Sequence, residues 1–301
     1  MKLKKFRSVQ FLEYAAAMLG TAPFLLLPRP LALRLGEALG SLMYRLMRRL
    51  RAIGTKNLDI AFGDTLSPQE KQQIFRATFR NLGKSLVEVL HFPRMDRADL
   101  QQKVQIVGQE HFSKAMQKGH GVIYLTAHVG NWEMSGHAQS AAGYPLHIVV
   151  RPLDNQYLNR VVARLRTLHG NTLIAKGRGL KQMITALRKK EAIGILMDQN
   201  TLRDKGIFVD FFGKPACTTP VIALLALRYN APVIPSFIIR TGFDTHTLTL
   251  GPEIDIVRTG DLQKDIETNT ARFNTILEEF IRRYPDQWFW LHNRWKTQPE
   301  G

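Results

Sequence analysis

Apolar residues run along this chain in several distinct rhythms. Residues 11–27 are almost continuously apolar, with Glu13 as their one charge. The uncharged part, residues 14–27, contains Pro23 and is shorter than the roughly 20 apolar residues that span a bilayer. A basic start, Lys2, Lys4, Lys5 and Arg7, makes a signal peptide the alternative. No small-x-small site closes the run, however, and it ends Leu-Leu-Leu-Pro-Arg-Pro. In residues 31–51, Leu35, Leu39, Leu42, Leu46 and Leu50 recur at three- and four-residue spacing. Arg34, Arg45, Arg48, Arg49 and Arg51 take other positions. The two segments together read as a hydrophobic helical anchor followed by a basic amphipathic helix lying on anionic lipid. A core-facing helix with a basic outer face is the alternative. We place the division between this anchor (1–51) and a catalytic domain (52–301) at residue 51.

Beyond the anchor the rhythm alternates. Ser67-Pro68-Gln69-Glu70 carries the Ser, the first-turn Pro and the acid three residues after the Ser that begin a helix, expected over 67–90. Short, continuous, β-branched runs at 121–127 and 192–197 predict strands buried on both faces. Further strands are expected at 146–150, 233–240 and 245–251, with helices at 132–142, 155–168, 179–189, 218–229 and 266–283. Strands alternating with helices predict an α/β layered sheet flanked by helices, largely parallel.

Charge narrows the class of partner. Forty-two Lys and Arg against 25 Asp and Glu leave +17, which calls for an anionic partner such as nucleic acid, anionic lipid or an acidic protein. Residues 1–51 hold ten basic and two acidic side chains among the apolar runs, which favours lipid, and no nucleic-acid motif is present. One cysteine, Cys217, forbids an intramolecular disulfide. The nine histidines lack His-x3-His and His-Glu-x2-His spacings, so no metal site is expected. Neither a Walker loop nor a Gly-x-Ser-x-Gly elbow occurs.

Candidate chemistry gathers after the 121–127 strand, where His128 precedes Gly130-Asn131 and then Glu133. Reactive groups are held at the carboxyl ends of strands in such sheets. An offset of five would place His128 and Glu133 about 140° apart on one helix. The pair therefore works only with His128 in the turn and Glu133 in the first helical turn, reaching back to one imidazole nitrogen and leaving the other as a base. Spacing alone equally describes a helix-capping acid beside a structural histidine.

The ordered segments Ala127-His128-Val129-Gly130-Asn131-Trp132-Glu133, Arg151-Pro152, Lys176-Gly177-Arg178-Gly179 and Asp198-Gln199-Asn200 together resemble the bacterial lipid A biosynthesis acyltransferases, the late lauroyl and myristoyl transferases. Phe208 to Ala216 and Trp288 to Lys296 fit the same family, and the resemblance covers nearly the whole chain. It implies a glycerolipid-acyltransferase-like fold and transfer of a fatty acyl chain from acyl carrier protein to a hydroxyl of a lipid A precursor. The reaction would take place at the cytoplasmic face of the inner membrane, with no cofactor. It also implies His128 as general base and Glu133 as its acidic partner. Acylation of another glycolipid or a lysophospholipid is the alternative within this chemistry, and non-catalytic binding of anionic lipid the alternative outside it.

Further assignments follow from chemistry. Direct attack on a thioester needs no enzyme nucleophile, and backbone N–H groups of Gly130, Asn131 and Trp132 are oxyanion candidates. Arg151, held extended before Pro152, suits a substrate phosphate, with Arg166 and Arg178 as further candidates for substrate or carrier acids. Asp198, at another strand end, is expected either to orient a site arginine or substrate, or to close its strand as an Asx-turn. Phe211-Phe212-Gly213 reads as acyl-tunnel lining or as core. The Trp-rich tail reads as a lipid-interface element or as packing against the N-terminal helices.

Overall fold

A computed structural model describes residues 6–175 and 179–299. The chain opens with four helices, α1 (Arg7–Leu26), α2 (Arg29–Leu46), α3 (Arg48–Phe62) and α4 (Pro68–His91). Next come α5 (Arg97–Lys103), β1 (Val104–Val107), α6 (Gln109–Gln117), β2 (Val122–Thr126) and α7 (Trp132–Ala141). The middle of the chain supplies β3 (Leu146–Val150), α8 (Gln156–Thr167), β4 (Thr172–Ala175), α9 (Gly179–Arg188) and β5 (Ala192–Leu196). A hairpin, β6 (Ile207–Phe211) and β7 (Lys214–Thr218), leads to α10 (Val221–Tyr229), β8 (Val233–Arg240), β9 (His246–Leu250) and α11 (Leu262–Arg283).

Seven strands form one sheet in the order β1-β9-β8-β2-β5-β3-β4. Every neighbouring pair is parallel except β8 and β9. The α/β layering expected from the alternating pattern is what the chain forms. Strand β2 shows why its run is continuously apolar. Ile123 and Leu125 point into a core closed by α9, α10 and α11, while Val122 and Tyr124 point into a second core closed by α5, α6 and α7.

The N-terminal helices pack by backbone contact. A Cβ on Gly36 would lie 2.6 Å from the Gly83 carbonyl, and one on Gly40 would lie 2.2 Å from that of Phe79, so α2 and α4 touch main chain to main chain. Helix α4 starts on the expected capping box, Ser67 and Glu70 each bonding the other's backbone N–H. The single helix expected over 31–51 is interrupted at Met47, and α3 then runs on to Phe62, burying Asn57, Leu58 and Phe62. The expected division at residue 51 thus falls inside a helix that packs on the domain.

Two other expectations shift. The helix expected from residue 218 begins at Val221, because Pro220 disfavours helical backbone at the residue before it. Residues 207–218 instead form the antiparallel hairpin, turned by Phe212 (φ 56°) and Gly213 (φ 72°). Two successive positive φ values make the tight primed hairpin turn, and Phe in place of the usual Asn or Asp hides it in the sequence. The ring of Phe212 is buried against Phe62 and Arg282, which holds the unusual conformation in place.

Candidate active site

Strand register brings the central pair together. In the parallel pairing of β2 and β5, Thr126 is opposite Leu196. His128 and Asp198 each lie two residues further along, at the carboxyl edge of neighbouring strands. Asp198 is buried and accepts hydrogen bonds from His128 Nδ1 at 2.8 Å, the His128 backbone N–H at 3.0 Å and Trp288 Nε1 at 2.8 Å. Burial pushes this carboxyl up, but the charge of His128 and these hydrogen bonds outweigh it and hold the group at about 2. An ionised carboxylate only accepts, so Nδ1 carries a proton, and in the neutral imidazole Nε2 is the nitrogen with the lone pair. The Gln199 side-chain amide lies 3.3 Å from Nε2.

The C-terminal tail closes over this pair. The Phe289 backbone N–H donates to the His128 carbonyl at 3.0 Å, and the Trp132 ring packs edge-on against the imidazole, centroids 5.1 Å apart. Trp288, Trp290 and Trp295 are all buried, so the Trp-rich tail is core and not a lipid-interface element. Phe211 and Phe212 are likewise core. Arg294 is fully buried under the site, stacked on Phe211, and donates to the Cys217 carbonyl and the Thr218 hydroxyl. Burial lowers it to about 10, against the pull of the Asp198 carboxylate. Burial also keeps His292 neutral, at about 4, and its Nε2 accepts the Asn200 backbone N–H.

Glu133 does not reach back to His128, which corrects the pairing expected from spacing. It lies in the first turn of α7 and grips Arg166 of α8, with Arg166 Nε 2.9 Å from Oε2 and a terminal nitrogen 2.5 Å from Oε1. The imidazole is already held by Asp198, and the start of α7 directs Glu133 towards α8. Arg166, proposed for substrate or carrier acids, is therefore engaged within the protein. One turn further along α7, His137 shares a hydrogen bond of 2.7 Å with His169, just past the end of α8. Burial keeps His137 neutral, at about 3. The two pairs clasp α8 to α7.

Of the oxyanion candidates, Gly130 is corrected: its N–H donates to the Gln287 carbonyl at 2.8 Å. Its φ of 58° and a Cβ position only 2.2 Å from the Ile238 carbonyl demand glycine. Asn131 caps α7 through the Met134 N–H and donates to Glu88 at 2.7 Å. The main-chain N–H groups of Asn131 and Trp132 stand at the helix start, where no carbonyl of the helix reaches them.

Behind this turn lies a cluster that sequence reasoning missed. Glu88 is fully buried and takes both terminal nitrogens of Arg240, at 2.6 and 2.7 Å, together with His246 Nε2 at 3.2 Å. Gln287 brackets the Arg240 backbone with two hydrogen bonds and offers its own carbonyl to Gly130. An acid inside the amphipathic α4 was the one available signal for Glu88.

The remaining candidates lie apart. Arg151 follows β3 on the same carboxyl edge, is exposed, and keeps 3.6 Å from Asp154. Arg178 lies outside the described residues, as do Lys176 and Gly177. Far from the crevice, eleven of the nineteen exposed large apolar side chains among the described residues fall between Phe6 and Met47. Helix α1 is apolar and long enough to cross a membrane, and it presents Leu12 and Leu19 outward, 67% and 76% exposed. It is tied to the domain through Asn155, whose amide donates to the Gln10 carbonyl at 2.8 Å.

Comparison with known proteins places this geometry in context. The sequence model of the bacterial lipid A biosynthesis acyltransferases matches residues 2–297. The chain is 30% identical over 282 residues to a lipid A biosynthesis lauroyltransferase of Escherichia coli, covering 91% of this chain and 88% of that one. It is 27% identical over 277 residues to a palmitoleoyltransferase of the same organism and pathway, covering 91% and 88%. A myristoyltransferase from the same bacterium is 27% identical over 274 residues, covering 90% and 82%.

Proposed function

Because the chain belongs to the bacterial lipid A biosynthesis acyltransferase family, we propose that it transfers a fatty acyl chain from acyl carrier protein to a hydroxyl of a lipid A precursor. The observation that carries the mechanism is the His128–Asp198 pair at the carboxyl edge of the sheet. Asp198 fixes the ring with Nε2 as the acceptor, and Nε2 takes the proton from the substrate hydroxyl as that oxygen attacks the thioester. The hydroxyl is the nucleophile. The acyl group passes directly from donor to acceptor in a ternary complex, and the chemistry calls for no cofactor. Glu133, paired with Arg166, acts on this site through the placement of α8 and not as the ring's partner.

The donor reading rests on the +17 charge, which suits an acidic carrier. Anionic membrane lipid is the second partner, met by the outward leucines and the arginines of residues 29–51. The catalytic domain then faces the cytoplasm at the inner membrane.

The test is an assay of purified protein with lauroyl-acyl carrier protein and a lipid A precursor. His128→Ala is expected to lower kcat by about 10²–10⁴-fold. Asp198→Asn, which removes the charge and frees the ring to take the wrong tautomer, is expected to approach that loss. Wild-type turnover unaffected by His128→Ala would sink the base assignment, and a trapped acyl-enzyme would sink direct attack. Mass spectrometry of lipid A from a deletion strain identifies the acceptor by the secondary acyl chain that disappears.

A further inference from the structure

Acyl transfer carries a second requirement beyond the base. As the hydroxyl attacks, the thioester carbonyl oxygen becomes an oxyanion, and it needs a donor in place at that moment. The main-chain N–H groups of Asn131 and Trp132 stay available at the start of α7, and most other donors beside His128 are already engaged. The Gly130 N–H is bonded to Gln287. The Asn131 side chain bonds Glu88 and caps Met134. The Asn200 amide donates to the Thr201 carbonyl and the Thr297 hydroxyl, while its oxygen accepts the Thr297 N–H. Gln199 differs: it is partly exposed, and among the described residues its side chain bonds only His128 Nε2, at 3.3 Å.

That contact cannot persist during the reaction. Nε2 carries one lone pair in the plane of the ring, so the Gln199 amide and a substrate hydroxyl cannot both use it. A distance of 3.3 Å marks a long, easily surrendered bond. When the hydroxyl arrives, roughly 3 Å from Nε2, the amide is displaced within the same small volume that holds the reacting carbon.

We propose that Gln199 is a catalytic residue that donates its amide N–H to the carbonyl oxygen of the acyl thioester. The inference rests on the acyltransferase reading above. In the first step the acceptor oxygen bonds the carbonyl carbon, the π electron pair moves onto the carbonyl oxygen beside Gln199, and the hydroxyl proton passes to His128 Nε2. In the second step the pair returns, the carbon–sulfur bond breaks, and the departing thiolate takes the proton from His128 as a free thiol. Two adjacent residues after β5 thus serve opposite sides of one imidazole, Asp198 at Nδ1 and Gln199 beside Nε2.

The experiment compares wild type with Gln199→Met, which keeps the length of the side chain but removes the donor, and with Gln199→Ala. Steady-state rates are measured with lauroyl-acyl carrier protein and the lipid A precursor from pH 5 to 9, alongside thermal unfolding. Both variants are expected to fold as wild type and to lose about 10²–10³-fold in kcat, with both KM values within about threefold. The loss should persist on the high-pH plateau of each variant's profile. A kcat within about threefold of wild type would overturn the proposal. So would a loss confined to the acid limb, which would make Gln199 a group that only tunes the ring. If Gln199→Ala alone fails to fold, Gln199→Met decides. Absence of wild-type turnover would fall on the acyltransferase reading and take this proposal with it.

Discussion

The N-terminal helices and the carboxyl edge of the sheet use burial in opposite ways. Along α1 and α2 many large apolar side chains face outward, while α2 meets α4 through glycine backbone beside the buried Leu33 and Tyr44. Behind His128 the charged side chains face inward: Glu88, Arg240 and Asp198 are buried, and each is paired. Both arrangements invert what a water-soluble surface and core would do. Each inversion calls for a compensating partner. For the buried charges the partners are other side chains of the same molecule. For the outward leucines no side chain among the described residues supplies one, and the lipid surface proposed above would.

The strongest way to break the comparison is at Glu88. Glu88→Ala leaves the Arg240 guanidinium buried without its carboxylate, which costs about 3–5 kcal/mol. It also removes the acceptor of Asn131, the cap of α7. The folded protein should lose that much in urea denaturation, with activity falling in the fraction that remains folded. A cost below about 1 kcal/mol would mean that solvent reaches the cluster, and the contrast with the outer helices would then be one of degree.

How much of this could be read beforehand follows from the same physics. The strands and helices were legible because apolar periodicity is local, and so was the cap at Ser67. His128 and Asp198 were each legible as residues at the ends of buried strands. Their pairing was not, because nothing in the sequence says that β2 and β5 are neighbours in register. Glu133 misled for the matching reason: five residues from His128 suggests contact, while its true partner, Arg166, is 33 residues away on another helix. The apolar, exposed character of α1 was legible from composition. The outward turn of Leu35, Leu42 and Leu46 on α2 was one of two readings of the sequence, since leucines at helical spacing equally describe a core face, and the glycines that meet α4 carry no hydropathy signal.

The outer helices offer the next test. Leu12 and Leu19 lie seven residues apart on the exposed face of α1. Exposed positions tolerate Glu at a cost within about 0.5 kcal/mol, so the Leu12→Glu/Leu19→Glu protein should unfold at the wild-type temperature. Each leucine buried in lipid contributes about 1.5–3 kcal/mol. Binding to vesicles rich in anionic lipid should therefore weaken by about 10²-fold or more. If binding is unchanged while stability falls, this face is covered by protein and the comparison fails on its outer side.

The smallest effect is expected at Arg151, where the two regions meet. It stands on the same sheet edge as His128 but is exposed and only loosely paired with Asp154, at 3.6 Å. A side chain so placed is free to swing onto a phosphate of the acceptor. Arginine binds phosphate with two parallel N–H bonds, and lysine offers a point charge. Arg151→Lys keeps the charge and forfeits the second bond, worth about 1 kcal/mol. The apparent KM for the lipid A precursor should rise about fivefold, with kcat and the donor KM unchanged. An unchanged acceptor KM would remove Arg151 from the phosphate site and leave it an ordinary surface arginine, because among the described residues it has only a loose ion pair, at 3.6 Å.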